Sequence, residues 1–192
     1  MKRSVLVTGG TVRLGAAIAD AFAVAGWRVV RSSHRADANA DVRADLSRPG
    51  GADELFARAF ALLGGRPDVL VNNAALYVGA ADDETTWQVN YHAPRRLAEL
   101  MEGSLVVNIC DKFAATRHPG TAYAQSKTAL EKWSRESGLL AFEVGDVLDL
   151  APAAFHEKAV EAAGDRLTSR QIAERLDDAD KIIAHVKEVF AK

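Results

Sequence analysis

A tyrosine and a lysine, Tyr123 and Lys127, are four positions apart in a segment with a helical pattern. Side chains at this spacing lie on the same face of a helix. A free tyrosine has a pKa near ~10, too high for efficient proton transfer at neutral pH, and a neighbouring ammonium lowers it. The spacing therefore predicts that Tyr123 delivers a proton and that Lys127 lowers its pKa. The alternative for the spacing alone is a tyrosine packed on the core beside a surface lysine.

A glycine-rich segment, residues 8–15 with the sequence TGGTVRLG, lies between a short apolar run and a helical pattern. Glycines allow a tight turn and a close approach of the backbone to phosphate groups. Free amides at a helix N-terminus bind those phosphates, and a small residue lets the helix pack on the sheet. The segment meets these needs, although Arg13 stands where a glycine is often found. It predicts a pyrophosphate-binding turn, and the alternative is a tight turn without a ligand.

Basic side chains follow the second apolar run, where Arg31, His34 and Arg35 precede the first acidic residue, Asp37. A carboxylate at this point would bind the ribose 2′-hydroxyl of NAD. Arginines instead supply charge and paired donors suited to a 2′-phosphate. Together with Arg13, the cluster favours NADPH over NADH as the cofactor. The alternative is a solvated basic loop.

The elements that must position these residues alternate along the chain between β-branched runs and helical patterns. Strands are predicted at residues 4–8, 27–32, 41–44, 68–72, 104–109 and 139–144, and helices at 14–26, 52–63, 84–101, 121–137 and over most of the rest. This alternation predicts an α/β fold: a single doubly wound parallel sheet of the Rossmann type, with six or so strands and helices on both faces. We expect residues 1–192 to form one domain.

The bulk properties favour an ordinary globular protein with a small-molecule substrate. The net charge of -2 gives no reason to expect nucleic acid or a membrane surface as a partner. One cysteine, Cys110, cannot form an internal disulfide, which favours a cytoplasmic location. We predict no metal site.

The motifs, taken in order, resemble the short-chain dehydrogenase/reductase family over about residues 3–145. They are the glycine turn, Asp45-Leu46, Asn72-Asn73-Ala74, Asn90 and the pair Tyr123/Lys127. The resemblance implies that Asp45 contacts the adenine, that Asn73 shapes the cofactor pocket and that Asn90 holds a proton-relay water near Lys127. The predicted cofactor-binding residues are Gly9, Thr11, Arg13, Leu14, Gly15, His34, Arg35, Asp45, Leu46, Asn73, Ala74 and Lys127.

Two further residues resemble the pteridine reductase subgroup of this family. Asp111 ends the fifth predicted strand, where most family members have a serine, and Tyr77 lies four residues after Asn73. The resemblance implies that Tyr77 stacks on a pterin and that Asp111 and Tyr123 contact the substrate. A flat ring suits an aromatic platform, and a carboxyl group can relay the proton needed to reduce a C=N bond. The alternatives are a loop aromatic and a solvated carboxylate.

Other segments depart from the family pattern. The link between the second and third strands is too short for a full helix. The family's Pro-Gly after the sixth strand is replaced by Gly145-Asp146, and no final strand is recognisable. Residues 148–166 are the candidate substrate lid.

The leading hypothesis for the function is NADPH-dependent reduction of a pterin-like C=N bond. A carbonyl reductase or alcohol dehydrogenase of the same family is the first alternative, and a catalytically silent NADP-binding regulator is the second. Family resemblance also implies a homodimer or homotetramer, paired through the helices that carry Asn90 and Tyr123.

Overall fold

The computed structural model describes residues 3–36, 39–144 and 181–184. Over this part of the chain, a parallel sheet has the strand order β3-β2-β1-β4-β5-β6. The strands are β1 (Ser4–Val7), β2 (Arg28–Ser33), β3 (Val42–Arg43), β4 (Val69–Asn72), β5 (Leu105–Asp111) and β6 (Leu140–Val144). The helices are α1 (Arg13–Val24), α2 (Gly51–Leu63), α3 (Asp83–Trp87), a π-helix (Gln88–His92), α4 (Ala93–Leu100), α5 (Ala114–Arg117) and α6 (Ala122–Glu136).

The central strands are buried on both faces, which explains why their sequences are continuous apolar runs rather than alternating ones. In β1, Val5 and Val7 belong to the core between the sheet and α1, whereas Leu6 belongs to the core under α2 and α4. Ile182 and Ile183 are buried in the same core as Val5. Each face of the sheet is therefore covered by helices, and the predicted doubly wound fold is confirmed.

Most differences from the predicted elements are small shifts of their ends. The predicted helix 84–101 is interrupted, because the turns around Asn90 are wider than those of an α-helix and form the π-helix. The short helix α5 was not predicted. The link from β2 to β3 has no helix among its described residues, as its length predicts. The remaining segments after β6, including the candidate lid at 148–166, lie outside the described residues, so the single domain over 1–192 stays a prediction.

Parallel strands bring the residues that follow β1, β2, β4 and β5 to one edge of the sheet. The order of the strands reverses between β1 and β4, because β2 lies to one side of β1 and β4 lies to the other. In open α/β sheets a ligand binds in the crevice outside the carboxyl ends of the strands at such a point. The glycine turn after β1 and the Asn72-Asn73-Ala74 segment at the end of β4 flank this crevice.

Candidate active site

The glycine turn is held against the segment after β4 by Thr8 and Asn73. The Thr8 hydroxyl accepts hydrogen bonds from the backbone amides of Asn73 and Ala74, at 2.9 and 3.0 Å. The Asn73 side chain donates in turn to the carbonyls of Thr8 and Gly9, at 3.0 and 3.2 Å. Asn73 therefore fixes the shape of the turn. Its predicted role, to shape the cofactor pocket, is consistent with these hydrogen bonds.

Gly15 lies where α1 passes closest to the turn. A Cβ built there would be 2.1 Å from the Gly9 carbonyl oxygen and 2.4 Å from the Asn73 amide nitrogen. The first contact is not possible without moving the backbone of the turn, and the second would displace the Asn73 side chain that holds the turn. Glycine is thus required at this position for close packing and not for an unusual dihedral angle.

We expect Gly15→Ala to destabilise the protein by about 1–3 kcal/mol, the usual cost of inserting atoms into a packed site, and to weaken cofactor binding. The matched control is Gly65→Ala, because a Cβ at Gly65 would meet nothing within 4 Å. Thermal unfolding and titration with NADPH measure the two effects. Equal melting temperatures and equal affinities for the two variants would show that the close approach is not present.

Arg13 opens α1 in a left-handed conformation, with a φ of 54°. Such a conformation is uncommon for residues other than glycine and is often found at ligand sites. Burial and the nearby Arg35 guanidinium lower the pKa of Arg13. Both arginines line the same cleft, and two cations in one cleft form a site that an anion would stabilise.

The residues around the turn fit a dinucleotide cofactor. The buried Thr11 hydroxyl is without a hydrogen-bond partner, so it is available to a ligand. A cleft of about 520 Å³ opens here. Its lining includes every predicted cofactor-binding residue except Lys127, namely Gly9, Thr11, Arg13, Leu14, Gly15, His34, Arg35, Asp45, Leu46, Asn73 and Ala74. It also includes Ser32, Ser33 and Ser47, which the motifs did not predict as cofactor-binding residues. Their nearness in the sequence to His34 and Leu46 could have indicated them.

The side chains of Tyr123 and Asp111 are joined directly. The Tyr123 hydroxyl donates to Asp111 Oδ2 at 2.6 Å, and the other carboxylate oxygen accepts from the Phe113 amide at 2.8 Å. Tyr123 is 2% exposed. Burial and the hydrogen bond to Asp111 raise the pKa of Tyr123, so its phenol is held in the protonated form.

This result corrects the predicted role of Lys127. The Lys127 ammonium donates to the Ile109 carbonyl at 2.9 Å, and its own pKa is lowered by complete burial. The groups that set the pKa of Tyr123 come mainly from β5 and the loop after β4. The prediction that the pKa of Tyr123 is lowered was therefore wrong, because the helical spacing shows neither the burial of the phenol nor its pairing with a carboxylate at the end of β5.

Asn90 connects the π-helix to two neighbouring segments. Its side-chain oxygen accepts from the Leu76 amide at 2.8 Å, and its amide donates to the Leu76 carbonyl at 2.9 Å and to the Ser126 hydroxyl at 3.3 Å. Ser126 adjoins Lys127 on α6. Asn90 therefore positions the wall of the crevice against α6, and its predicted contact with a proton-relay water stays a prediction.

Tyr77 lies beside the Tyr123 phenol. The Tyr77 and Tyr123 ring centroids are 4.9 Å apart with their planes at 64°. The Tyr77 hydroxyl is hydrogen-bonded to Nε2 of His118, whose ring also contacts Tyr123. The sequence reasoning missed His118, which belongs to no recognised motif and reaches the site through the loop after α5.

Comparison with known proteins agrees with this geometry. A family model described as short chain dehydrogenase matches residues 3–152. The rhamnolipids biosynthesis 3-oxoacyl-[acyl-carrier-protein] reductase of Pseudomonas aeruginosa is 33% identical over 166 residues, covering 69% of this chain and 64% of the relative. The chain belongs to the short-chain dehydrogenase family, whose members are oxidoreductases. It spans less than two thirds of the length of this curated relative.

Solved structures show the same fold with both types of nicotinamide cofactor. A short-chain dehydrogenase/reductase family oxidoreductase from Brucella ovis, in complex with a partially ordered NAD, is 23% identical, with a TM-score of 0.72 and coverage of 95% of this chain and 92% of that one. A blue fluorescent protein from a metagenomic library, in complex with NADPH, is 25% identical, with a TM-score of 0.59 and coverage of 71% and 69%. In the described part of the chain no helix has the length and apolar character needed to cross a membrane. The cytoplasmic location stays a prediction.

Proposed function

We propose that this protein is an NADPH-dependent reductase of a pterin-like C=N bond, similar to the pteridine reductases within its family. The hydrogen bond from the Tyr123 hydroxyl to Asp111 carries the proposal. It joins a general acid to a carboxylate at a strand end where most family members have a serine. A proton donor of this kind suits a ring nitrogen, which must gain a proton when the carbon of its C=N bond gains a hydride.

The residues divide the reaction into binding and proton transfer. The cofactor, when bound in the cleft, supplies the hydride. The glycine turn and Asn73 shape its phosphate site, and Tyr77 offers an aromatic face to a flat substrate. Tyr123 keeps its proton until a substrate nitrogen lies near its hydroxyl, because burial and Asp111 disfavour the phenolate. Asp111, fixed by the Phe113 amide, orients the hydroxyl and relays its proton, and Lys127, on the same helix as Tyr123, donates to the Ile109 carbonyl.

A panel of substrates tests this function. NADPH oxidation is followed at 340 nm with 7,8-dihydrobiopterin, dihydromonapterin and dihydrofolate. We expect turnover with at least one of them, with NADPH consumed in a one-to-one ratio to the tetrahydropterin formed. No turnover with any dihydropterin would reject the pterin substrate and leave the family assignment intact.

The preference for NADPH rests on Arg13 and Arg35. We expect Arg13→Glu to weaken NADPH binding about 10- to 100-fold, the effect of losing a charge-assisted contact to the 2′-phosphate, with little change for NADH. Lys132→Glu is the control, because it makes the same change of charge at an exposed position on α6. Fluorescence titrations of the wild type and the two variants with each cofactor measure the dissociation constants. Equal losses for NADPH and NADH would contradict the proposal.

Reduction of a ketone is the second candidate. It is favoured by the curated relative, a 3-oxoacyl-[acyl-carrier-protein] reductase. Ketone reduction needs a proton on oxygen, which Tyr123 can supply without a second acid. Activity on ketones that survives Asp111→Ala, together with no activity on dihydropterins, would support this candidate.

Self-association is proposed on the helices that carry Asn90 and Tyr123. The Arg95 guanidinium lies over the rings of Tyr91 and Trp133, each 5.3 Å from the centroid, and so links the π-helix, α4 and α6 into one surface. We expect elution from gel filtration at the mass of a dimer or a tetramer. Elution at the monomer mass over a range of concentrations would overturn this expectation.

A further inference from the structure

His118 contacts the catalytic cluster but has no part in the mechanism proposed above. Its Nε2 is hydrogen-bonded to the Tyr77 hydroxyl, and the two rings meet edge to face at 5.1 Å. The His118 ring also lies 5.9 Å from the Tyr123 ring. The three rings thus form a cluster in which the hydroxyls of Tyr77 and Tyr123 have different partners.

The backbone of His118 is held firmly at the start of α6. Its amide donates to the Ala114 carbonyl at 3.1 Å. Its carbonyl accepts from the Thr121 amide at 3.3 Å and from the Thr121 hydroxyl at 2.8 Å. Thr121 is the residue that caps the N-terminus of α6. Tyr123 follows this cap by two residues. The backbone of His118 is therefore fixed by the N-terminus of the same helix that carries Tyr123.

The Tyr77 ring packs against the ring of Tyr123, whose hydroxyl binds Asp111, and the two ring centroids are 4.9 Å apart. Burial and the Asp111 charge raise the pKa of Tyr77, and Arg117 opposes them. Asp111 Oδ1 accepts from the Phe113 amide, so Oδ2 is the carboxylate oxygen for which the two tyrosine hydroxyls would compete. A phenol without its own acceptor would be drawn to this carboxylate, since a hydrogen bond to an ionised group is stronger than one between neutral groups.

We propose that His118 is a positioning residue that holds the Tyr77 hydroxyl away from Asp111, so that Tyr123 alone pairs with the carboxylate. The proposal rests on the proposed function for the role of Tyr123. It assigns Tyr77 an aromatic face for the substrate and removes its hydroxyl from the proton transfer. It predicts that the loss of activity caused by removing the His118 imidazole disappears when the Tyr77 hydroxyl is also removed.

Four variants test this prediction: His118→Leu, His118→Gln, Tyr77→Phe and the double variant His118→Leu/Tyr77→Phe. We expect His118→Leu to lower kcat about three- to tenfold, the effect of one misplaced hydrogen bond. The amide of His118→Gln can pair with the Tyr77 hydroxyl and restores most of the loss. The double variant has the kcat of Tyr77→Phe alone. A double variant slower than both single variants, or as slow as His118→Leu, would overturn the proposal.

The kinetics use 7,8-dihydrobiopterin, or 9,10-phenanthrenequinone if the pterin is not reduced. Failure of the proposed pterin function can therefore be told apart from failure of the role proposed for His118. A second readout needs no turnover. The chain has three tyrosines, and [13Cζ]tyrosine labelling gives each a signal that replacement by phenylalanine assigns. The Tyr123 signal should move in His118→Leu and return in the double variant, and should stay in place in the control His92→Leu. A Tyr123 signal that is unmoved in His118→Leu contradicts the proposal even if no substrate is found.

Discussion

Replacing Tyr123 with phenylalanine is expected to lower kcat by about 10²- to 10⁴-fold, the usual contribution of a positioned general acid. Phenylalanine keeps the ring contacts with Tyr77 and His118 and removes only the hydroxyl that Asp111 accepts. NADPH affinity should change little, because the substitution leaves the cleft around the glycine turn unchanged. Steady-state kinetics and a cofactor titration separate these two effects.

The matched control for this substitution is Tyr91→Phe. The Tyr91 hydroxyl accepts a hydrogen bond from Arg95, far along the chain from the proposed proton donor. It should leave kcat within about twofold of the wild-type value, since the hydroxyl that it removes pairs with Arg95 and not with Asp111. A Tyr123→Phe variant as active as this control would show that the proton comes from another group.

The second large effect is expected for Asp111→Asn. Asparagine has nearly the same shape but removes the charge to which the Tyr123 hydroxyl and the Phe113 amide donate. We expect kcat for a dihydropterin to fall about 100-fold or more, within the range for an acid–base group. Reduction of a ketone should fall less, because a ketone oxygen takes its proton from the Tyr123 hydroxyl, whereas the ring nitrogen is proposed to need the pair of Tyr123 and Asp111.

The ratio of the two activities is the informative quantity for Asp111→Asn. A common loss of stability would lower both rates together, and thermal unfolding checks for it. Parallel losses with unchanged stability would mean that Asp111 only orients Tyr123 and does not select the ring substrate. In that case the carbonyl reductase becomes the better account of the protein.

The sequence predicted the sheet and the residues that line the cleft at the glycine turn, because both depend on local patterns. The apolar runs of β1, β4 and β5 mark strands that are buried on both faces. The glycine turn follows the first strand directly, and its close contact at Gly15 is a local requirement. Parallel strands then bring the loops that follow them to one edge, so residues distant in the sequence meet in one cleft.

The substrate side was predicted less completely, because its contacts join segments that have no fixed spacing. Burial of Tyr123 and its hydrogen bond to Asp111 reverse the expected direction of the phenol's pKa shift. His118 carries no motif, since its position depends on the short helix α5 and on the cap at Thr121. The π-helix around Asn90 was not predicted for the same reason, because the hydrogen bonds between Asn90 and Leu76 leave no periodic pattern in the sequence.

The most direct measurement is the product formed when the wild-type protein is incubated with NADPH and 7,8-dihydrobiopterin, analysed by chromatography with Tyr123→Phe run in parallel. We predict tetrahydrobiopterin in amounts equal to the NADPH consumed by the wild-type protein, and about 10²-fold less or lower with the variant. Equal product from the two proteins, or no tetrahydropterin from the wild type while a ketone is reduced, would contradict the account of Tyr123 and Asp111 as the proton-delivering pair for a ring C=N bond.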